Sequence, residues 1–373
     1  ENPPVIPLEY VFEVGGQSLV IRGEPVTVDD LPNPALRRRL TIIAPVSLRF
    51  IAGVQLFSPG AARTVVVEVT AARAGAAGTL HLDTPAGWTV TPGPQRFRLG
   101  VPGEHARFTF TVMAPPRPMT APLGASVEIN GRRFAQQRVE VRYDHLPLQL
   151  LQPLARAKVL VLDLATRGHR VGYLPGAGDE LPAALEQMGY AVTSLTGADL
   201  TPERLRGLDA VVIGVRAFNV RTDLAERLAT LFAYVEAGGT VVAQYNTLDR
   251  LREAWLAPFQ LRLSRDRVTD EHAPVTILAP EHPALTAPNQ ITPADFDGWV
   301  QERGLYFPDR WDQRFTPILA CSDPGEAPLN GGVLVARHGN GYFVYTSLAW
   351  FRQLPEGVSG AYRLFANLVS LGK

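Results

Sequence analysis

The 373-residue chain has one cysteine, Cys321, and two lysines, Lys158 and Lys373. A lone thiol excludes an intramolecular disulfide framework and any zinc or iron–sulfur site built on several cysteines. An excess of charge is missing too, since 36 Lys+Arg balance 36 Asp+Glu. Nucleic acid and anionic membrane surfaces both attract a basic excess, so neither is an expected partner. No apolar run approaches the roughly 18 residues of a membrane span. The opening ENPPVIPLEY lacks the charged and then apolar regions of a secretion signal, and reads as a linker stiffened by Pro3, Pro4 and Pro7. The histidines (His81, His105, His145, His169, His272, His282 and His338) show no H-x-x-H or H-E-x-x-H spacing, so no zinc site is visible. G-x-S-x-G is absent. Cys321 lies in ILACSDPGEAP, before an Asp-Pro-Gly turn and not at an elbow opening a helix, and reads as a small core residue.

What is present is apolar and turn-rich. Hydrophobic residues make up 46% and charged residues 19%, enough for packed cores and too apolar for disorder. The 33 glycines and 32 prolines exceed the usual joint share of about 12% and show no repeat, which predicts many turns and short strands. The preference for Arg over Lys suits bidentate anion recognition, but beside so much Ala, Gly and Pro it reads first as a coding bias.

From Leu8 to Tyr143 the apolar pattern alternates with period two, as in TVVVEVTA (64–71), GTLHLDTP (78–85), RFTFTVMAP (107–115) and QRVEVRY (137–143). Evenly spaced short strands between Gly/Pro turns predict an antiparallel β-sandwich of immunoglobulin type without its cysteine pair, with Trp88 as a core plug. After DHLPLQLLQP the pattern becomes strand, Gly loop, amphipathic helix, strand. RVGYLPGAG (170–178), LDAVVIGVRA (208–217) and TVVAQYNT (240–247) read as strands, DELPAALEQMG (179–189) and TDLAERLATLFAYVEAGG (222–239) as helices ended by glycine, and SGAYRLFANLVSL (359–371) as a closing helix. Continuous apolar strands alternating with helices predict a doubly wound parallel sheet of flavodoxin-like α/β type. The expected domains are residues 1–146, the sandwich with its linker, and residues 147–373, the α/β part.

In such a sheet, ligands bind at the carboxyl ends of the strands. The loops there carry Asp179, Arg216, Asn219, Arg221, Gln244, Tyr245 and Asn246, a set of planar donors and acceptors suited to polyhydroxylated or carboxylate ligands, or equally to capping helices and tying loops together. GAGDEL resembles a dinucleotide fingerprint, but Leu181 replaces the third glycine and Asp179 puts a negative charge where a phosphate would sit. Asp179 is therefore expected to cap a helix, and no nicotinamide or other cofactor is expected. The segment ITPADFDGWVQERGLYF (291–307) gathers Asp295, Asp297, Trp299, Gln301, Glu302 and Arg303. Two carboxylates at i and i+2 could serve as an acid/base pair and Trp299 could stack on a sugar face, while a structural network of arginines with these acids is the plainer reading.

Several segments, YDHLPLQ, VGYLPGAGDELPAALEQMGY, VVIGVRAFN, GGTVVAQYNT, LSRDRVT, DFDGWVQERGLYF and YTSLAWFRQLP, resemble the C-terminal region of large bacterial LmbE/PIG-L-type deacetylases, nearly throughout the α/β part. GTLHLDTPAGWTVTP resembles the NEW3-type domain attached to glycan-active enzymes. The resemblance implies that a zinc-dependent de-N-acetylase domain, a hydrolase, precedes this region in the parent protein and is its partner. That domain's His-Pro-Asp-Asp stretch is absent here, where His282-Pro283 is followed by Ala284-Leu285. The α/β part is similar to class I glutamine amidotransferase-like and trehalose-utilisation (ThuA-like) domains. Their nucleophilic Cys and their His correspond to Gln244-Tyr245-Asn246 and Ala349-Trp350-Phe351, so glutaminase activity is not implied.

These readings converge on a non-catalytic pair of modules that binds carbohydrate or braces the deacetylase domain. Arg216, Asn219, Gln244, Tyr245, Asn246, Asp297, Trp299, Arg303 and Trp350 would line the site, and the association with exported glycan enzymes places it outside the cytoplasm. The alternatives are a sugar-active hydrolase or isomerase using Asp295, Asp297 or Glu302, and a scaffold that docks another domain through apolar faces.

Overall fold

The computed structural model describes residues 5–27, 38–143, 145–249, 251 and 256–373. The fold is β-rich, and its contacts divide it into two units. One draws on Glu1–Gly53, Ala62–Ala114 and Pro122–Ala157, the other on Val54–Ala61, Pro115–Ala121 and Lys158–Lys373.

The first unit is built from strands whose alternate residues are apolar. β1 (Val46–Phe50), β2 (Ala62–Ala71), β3 (Ala76–Asp83), β4 (Thr89–Thr91), β5 (Gln95–Leu99), β6 (His105–Met113), β7 (Met119–Ile129) and β8 (Arg132–Phe134) pair antiparallel throughout. One sheet runs β1-β2-β6-β4, and the other contains β5-β3-β7 with β8 on β7. Period two puts Val65, Val67 and Val69 of β2 on one face, all buried. Leu80, Leu123 and Val127 are buried on the other sheet, and the Phe97 and Phe108 rings meet edge-on across the two at 6.4 Å. Trp88 is buried, as expected of a core plug. A separate hairpin, Leu8–Val14 with Gln17–Gly23, leaves Tyr10, Val11, Phe12, Leu19, Val20 and Ile21 exposed.

The second unit centres on eight strands: β9 (Arg170–Leu174), β10 (Ala191–Ser194), β11 (Ala210–Ile213), β12 (Thr240–Gln244), β13 (Val275–Ile277), β14 (Phe315–Cys321), β15 (Leu329–His338) and β16 (Gly341–Thr346), in the order β10-β9-β11-β12-β16-β15-β14-β13. The first five are mutually parallel and the last three antiparallel, so the sheet is mixed and not parallel throughout. The reason is local. A two-residue Gly339-Asn340 turn, with Gly339 at φ 61°, closes β15 onto β16 as a hairpin, which forces opposite directions.

Both faces of the parallel strands are covered, which is why these strands are apolar without alternation. Val212 and Val242 pack in one cluster with Leu181 and Leu185 of α1 (Leu181–Gln187) and with Leu364 and Phe365 of the closing helix α3 (Ser359–Val369). Val211, Ile213 and Val241 pack in the other with Leu228, Leu231 and Val235 of α2 (Leu228–Glu236). Gly360, at the start of α3, lies so close to the Asp295 carbonyl that an added Cβ would sit 1.9 Å from it, so only glycine fits there.

α3 carries one fully buried amide, Asn367. Its Oδ1 accepts from the Asn289 N–H and the Asn289 side chain, and its Nδ2 donates to the Ala284 and Asn289 carbonyls. Truncation would strand these buried partners without water, a larger loss than the net worth of the bonds. Asn367→Ala is expected to destabilise the protein by about 2–4 kcal/mol, read as a lower urea midpoint at unchanged slope.

Candidate functional site

The parallel order reverses at β9, from which the chain passes first to β10 on one side and then to β11 on the other. A ligand of such a sheet is expected in the crevice between the loops after β9 and β11. That seat is filled by the protein itself. Asp179 Oδ1 accepts from the Tyr173 hydroxyl at 2.5 Å and from the Leu181 N–H of α1 at 3.1 Å. Asp179 Oδ2 accepts from the Val215 N–H at 3.1 Å and the Gln244 amide at 3.3 Å. The expected cap is thus present, made from one residue before the helical N-cap Glu180, and it also joins three loops. Burial and the adjacent Asp179 charge push the Tyr173 hydroxyl well above the ordinary tyrosine range, so it stays a donor. Gly176 of the GAG sequence lets the loop approach Val215, whose carbonyl a Cβ would meet at 2.0 Å. This glycine serves loop packing and not approach to a phosphate.

Other sequence candidates are consumed in the same way. Asn219 donates to the Thr247 and Asp249 carbonyls and accepts from the Thr247 N–H. Asn246, fully buried, accepts from the Phe218 N–H and donates to the Gln244 carbonyl. The Asn246 N–H in turn donates to the hydroxyl of buried Tyr345. Arg221 pairs with Asp223 at 2.5 Å and donates to the Pro175 carbonyl. These residues tie loops together; Gln244 and Asn246 are buried, and Asn219 and Arg221 are half-buried.

The segment 291–307 also differs from its expected roles. Trp299 is buried, donates from Nε1 to the Asp295 carbonyl and packs on Trp350 at 5.7 Å, so it cannot stack on a sugar. Trp350 is fully buried, with Nε1 donating to Thr346 Oγ1. Arg303 is buried and donates to the Ala273 and Phe296 carbonyls. Asp295 accepts from the Thr292 N–H and hydroxyl, closing a capping box, and pairs with Arg363 at 2.9 Å. Asp297 is exposed. Glu302 is buried and paired with Arg352 at 2.5 Å. Trp299, Trp350 and Arg303 are all buried, and their hydrogen bonds run to groups of the protein itself.

One strand further along, where the loops after β11, β12 and β16 meet, buried Val215, Tyr245 and Leu305 form a small apolar cluster against which Tyr306 and Phe351 pack. Tyr245 lies parallel to Tyr306, with centroids 6.2 Å apart and 2° between the planes, and Phe351 tilts against it at 5.6 Å. Tyr306 and Phe351 are half-buried, so part of each ring faces outward. Bonds from the Leu305 N–H to the Ser347 carbonyl and from the Ala349 N–H to the Arg303 carbonyl carry the 303–306 segment onto the loop after β16. Around the rings stand Arg216, whose charge is felt by Tyr245, and Arg352, which lies 4.8 Å over the Phe351 ring and holds Glu302 and Gln301. Burial raises the Tyr245 hydroxyl above its ordinary value.

Four described non-glycine residues have positive φ, and three of them, Arg216 (55°), Gln301 (66°) and Tyr306 (51°), belong to this cluster. Left-handed backbone costs about 1–2 kcal/mol per non-glycine residue and gathers where geometry serves a site. At Arg216 it sits between β11 and the short helix Ala217–Val220. This strand-to-helix turn carries a guanidinium. Tyr306, Phe351 and Arg352 were missed in the sequence because isolated loop aromatics carry no periodic signal. The dense aromatic spacing in GLYF and LAWFR is the only trace of them.

Among the described residues, every carboxylate whose pKa moves is shifted down, by hydrogen bonds and arginines, as in Asp223 beside Arg221. Burial pushes the Cys321 thiol up to about 12, away from the thiolate a nucleophile needs. Among the described residues, no group of three or more His, Cys, Asp or Glu side chains could hold a metal ion, and no helix is long and apolar enough to cross a membrane.

No family model and no curated protein sequence matches the chain. Among solved structures it is distantly similar to a Paenibacillus sp. cycloisomaltooligosaccharide glucanotransferase complexed with cycloisomaltoheptaose, at 14% identity and TM-score 0.22, covering 52% of this chain and 27% of that one. It is also similar to a family 123 glycoside hydrolase from Clostridium perfringens, at 7% identity and TM-score 0.20, covering 53% and 48%. A Salmonella alpha-2-macroglobulin mutant matches at 13% identity and TM-score 0.21, covering 40% and 11%. The chain thus spans less than two thirds of each of these neighbours.

Two outcomes test this geometry. Asp179→Ala, which strands the Tyr173 hydroxyl and the Val215 N–H, is expected to cost about 2–4 kcal/mol of stability in a denaturant titration. Cys321 is expected to resist alkylation at pH 8 in the folded protein and to react within minutes once unfolded, read by intact mass.

Proposed function

We propose that the chain is a non-catalytic accessory region of an LmbE/PIG-L-type de-N-acetylase, an immunoglobulin-like sandwich followed by a flavodoxin-like α/β domain, and that the α/β crevice binds carbohydrate. The observation that carries this is the Tyr245–Tyr306–Phe351 surface bordered by Arg216, Gln301 and Arg352. A pyranose offers an apolar C–H face to rings and a rim of hydroxyls to planar donors and acceptors, and this cluster supplies both. Against a sugar-active enzyme stand the roles of its proposed carboxylates. Asp295 is held by a capping box and Arg363, and Glu302 by Arg352. The exposed apolar hairpin, with Val11, Phe12, Val20 and Ile21 open to solvent, supports the bracing role toward a further domain of an exported parent.

The test is calorimetric titration with neutral and acidic oligosaccharides, comparing the wild type with Tyr306→Ala and Phe351→Ala. Loss of a half-buried stacking ring is expected to weaken binding about ten-fold in each variant, since such contacts contribute on the order of 1 kcal/mol. A folded wild type that binds none of the sugars refutes the proposal.

A further inference from the structure

One cation beside the Tyr245, Tyr306 and Phe351 rings has neither a hydrogen-bond nor an ion-pair partner for its side chain among the described residues. Arg352 is matched by Glu302, Arg221 by Asp223, and Arg303 by two carbonyls. Arg216 makes no side-chain hydrogen bond or ion pair among the described residues, and its Nε is buried without a partner. Thr247 Oγ1, in the neighbouring loop after β12, is likewise buried and unmatched. Asp179, the carboxylate seated between the loops after β9 and β11, is not free to serve, because both its oxygens are taken by four other donors. Arg216 thus combines two unfavourable features, a left-handed backbone and an unsatisfied buried donor, beside Tyr245, whose carbonyl accepts the Arg216 N–H at 2.9 Å. Turning this guanidinium toward a ligand breaks no existing hydrogen bond, so an incoming anion meets a donor fork that has nothing to give up.

We infer that Arg216 is the recognition residue for a carboxylate, and that this face takes a sugar or short glycan bearing one, the ring on the half-buried Tyr306 and Phe351 and the carboxylate on the guanidinium. This rests on the carbohydrate reading of the same crevice and narrows it to acidic glycans. A carboxylate fits because its two oxygens match the planar fork, and because it supplies the charge the crevice lacks.

The test uses ligand pairs in which the carboxylate is kept or capped: oligogalacturonate against its full methyl ester, and N-acetylmuramic acid against its methyl ester. The acid of at least one pair is expected to bind the wild-type chain at least ten-fold more tightly at low salt, with the margin shrinking as salt rises. R216Q is expected to level the two members, and R216K to keep part of the margin. Arg216→Gly, which suits φ 55° and removes the unmatched donor, is expected to hold or raise Tm while abolishing the preference. Equal affinity for acid and neutral members, a preference that survives in R216Q, or a clear Tm drop in Arg216→Gly overturns the assignment of Arg216 while leaving carbohydrate binding intact. No binding of any member to the folded wild type overturns the carbohydrate reading itself, and this inference with it.

Discussion

The carboxylate of Asp179 is the group on which the carboxyl-terminal edge of the sheet depends. It satisfies the first turn of α1, the backbone at Val215, the Tyr173 hydroxyl and the Gln244 amide at once. A parallel sheet leaves loop backbones and helix N-termini facing one another at this edge, and each unmatched N–H there would cost as much as a lost hydrogen bond. By filling the seat between β9 and β11 with its own anion, the protein closes the position where sheets of this kind hold phosphates. The proposed sugar site lies one strand along, at the loops after β11, β12 and β16.

That placement explains the character of the proposed site. With Gln244, Asn219 and Asn246 committed to holding loops, the groups left facing outward are rings and guanidinium ions. The backbone strain at Arg216, Gln301 and Tyr306 is tolerated because the surroundings fix these residues on several sides, among them the Arg216 N–H to the Tyr245 carbonyl and the Leu305 N–H to the Ser347 carbonyl.

The elements themselves were readable. Apolar runs at 210–213 and 240–244 are strands because both their faces are buried, and alternation at 62–71 marks a strand with one face exposed. The direction of β14 and β15 was not readable, because an apolar run has the same pattern in either orientation and only the Gly339-Asn340 turn decides it. Trp299 and Trp350 were misplaced for a related reason. A tryptophan in a polar-rich segment can stack on a ligand or plug a core, and the Asp295 carbonyl and Thr346 hydroxyl that receive their N–H groups come together only in the fold.

The sequence by itself determined the kinds of element, the order in which they follow, the absence of a disulfide framework and the inert character of Cys321, because each depends on residue type and local spacing. Which polar side chains are spent on structure and which stay open was decided only by the tertiary structure. Asp179 and Arg216 are equally plausible site residues in one dimension. Four donors converge on the first and no acceptor among the described residues meets the side chain of the second, and the convergence arises from residues 36 and 65 positions apart being brought to a single edge of the sheet.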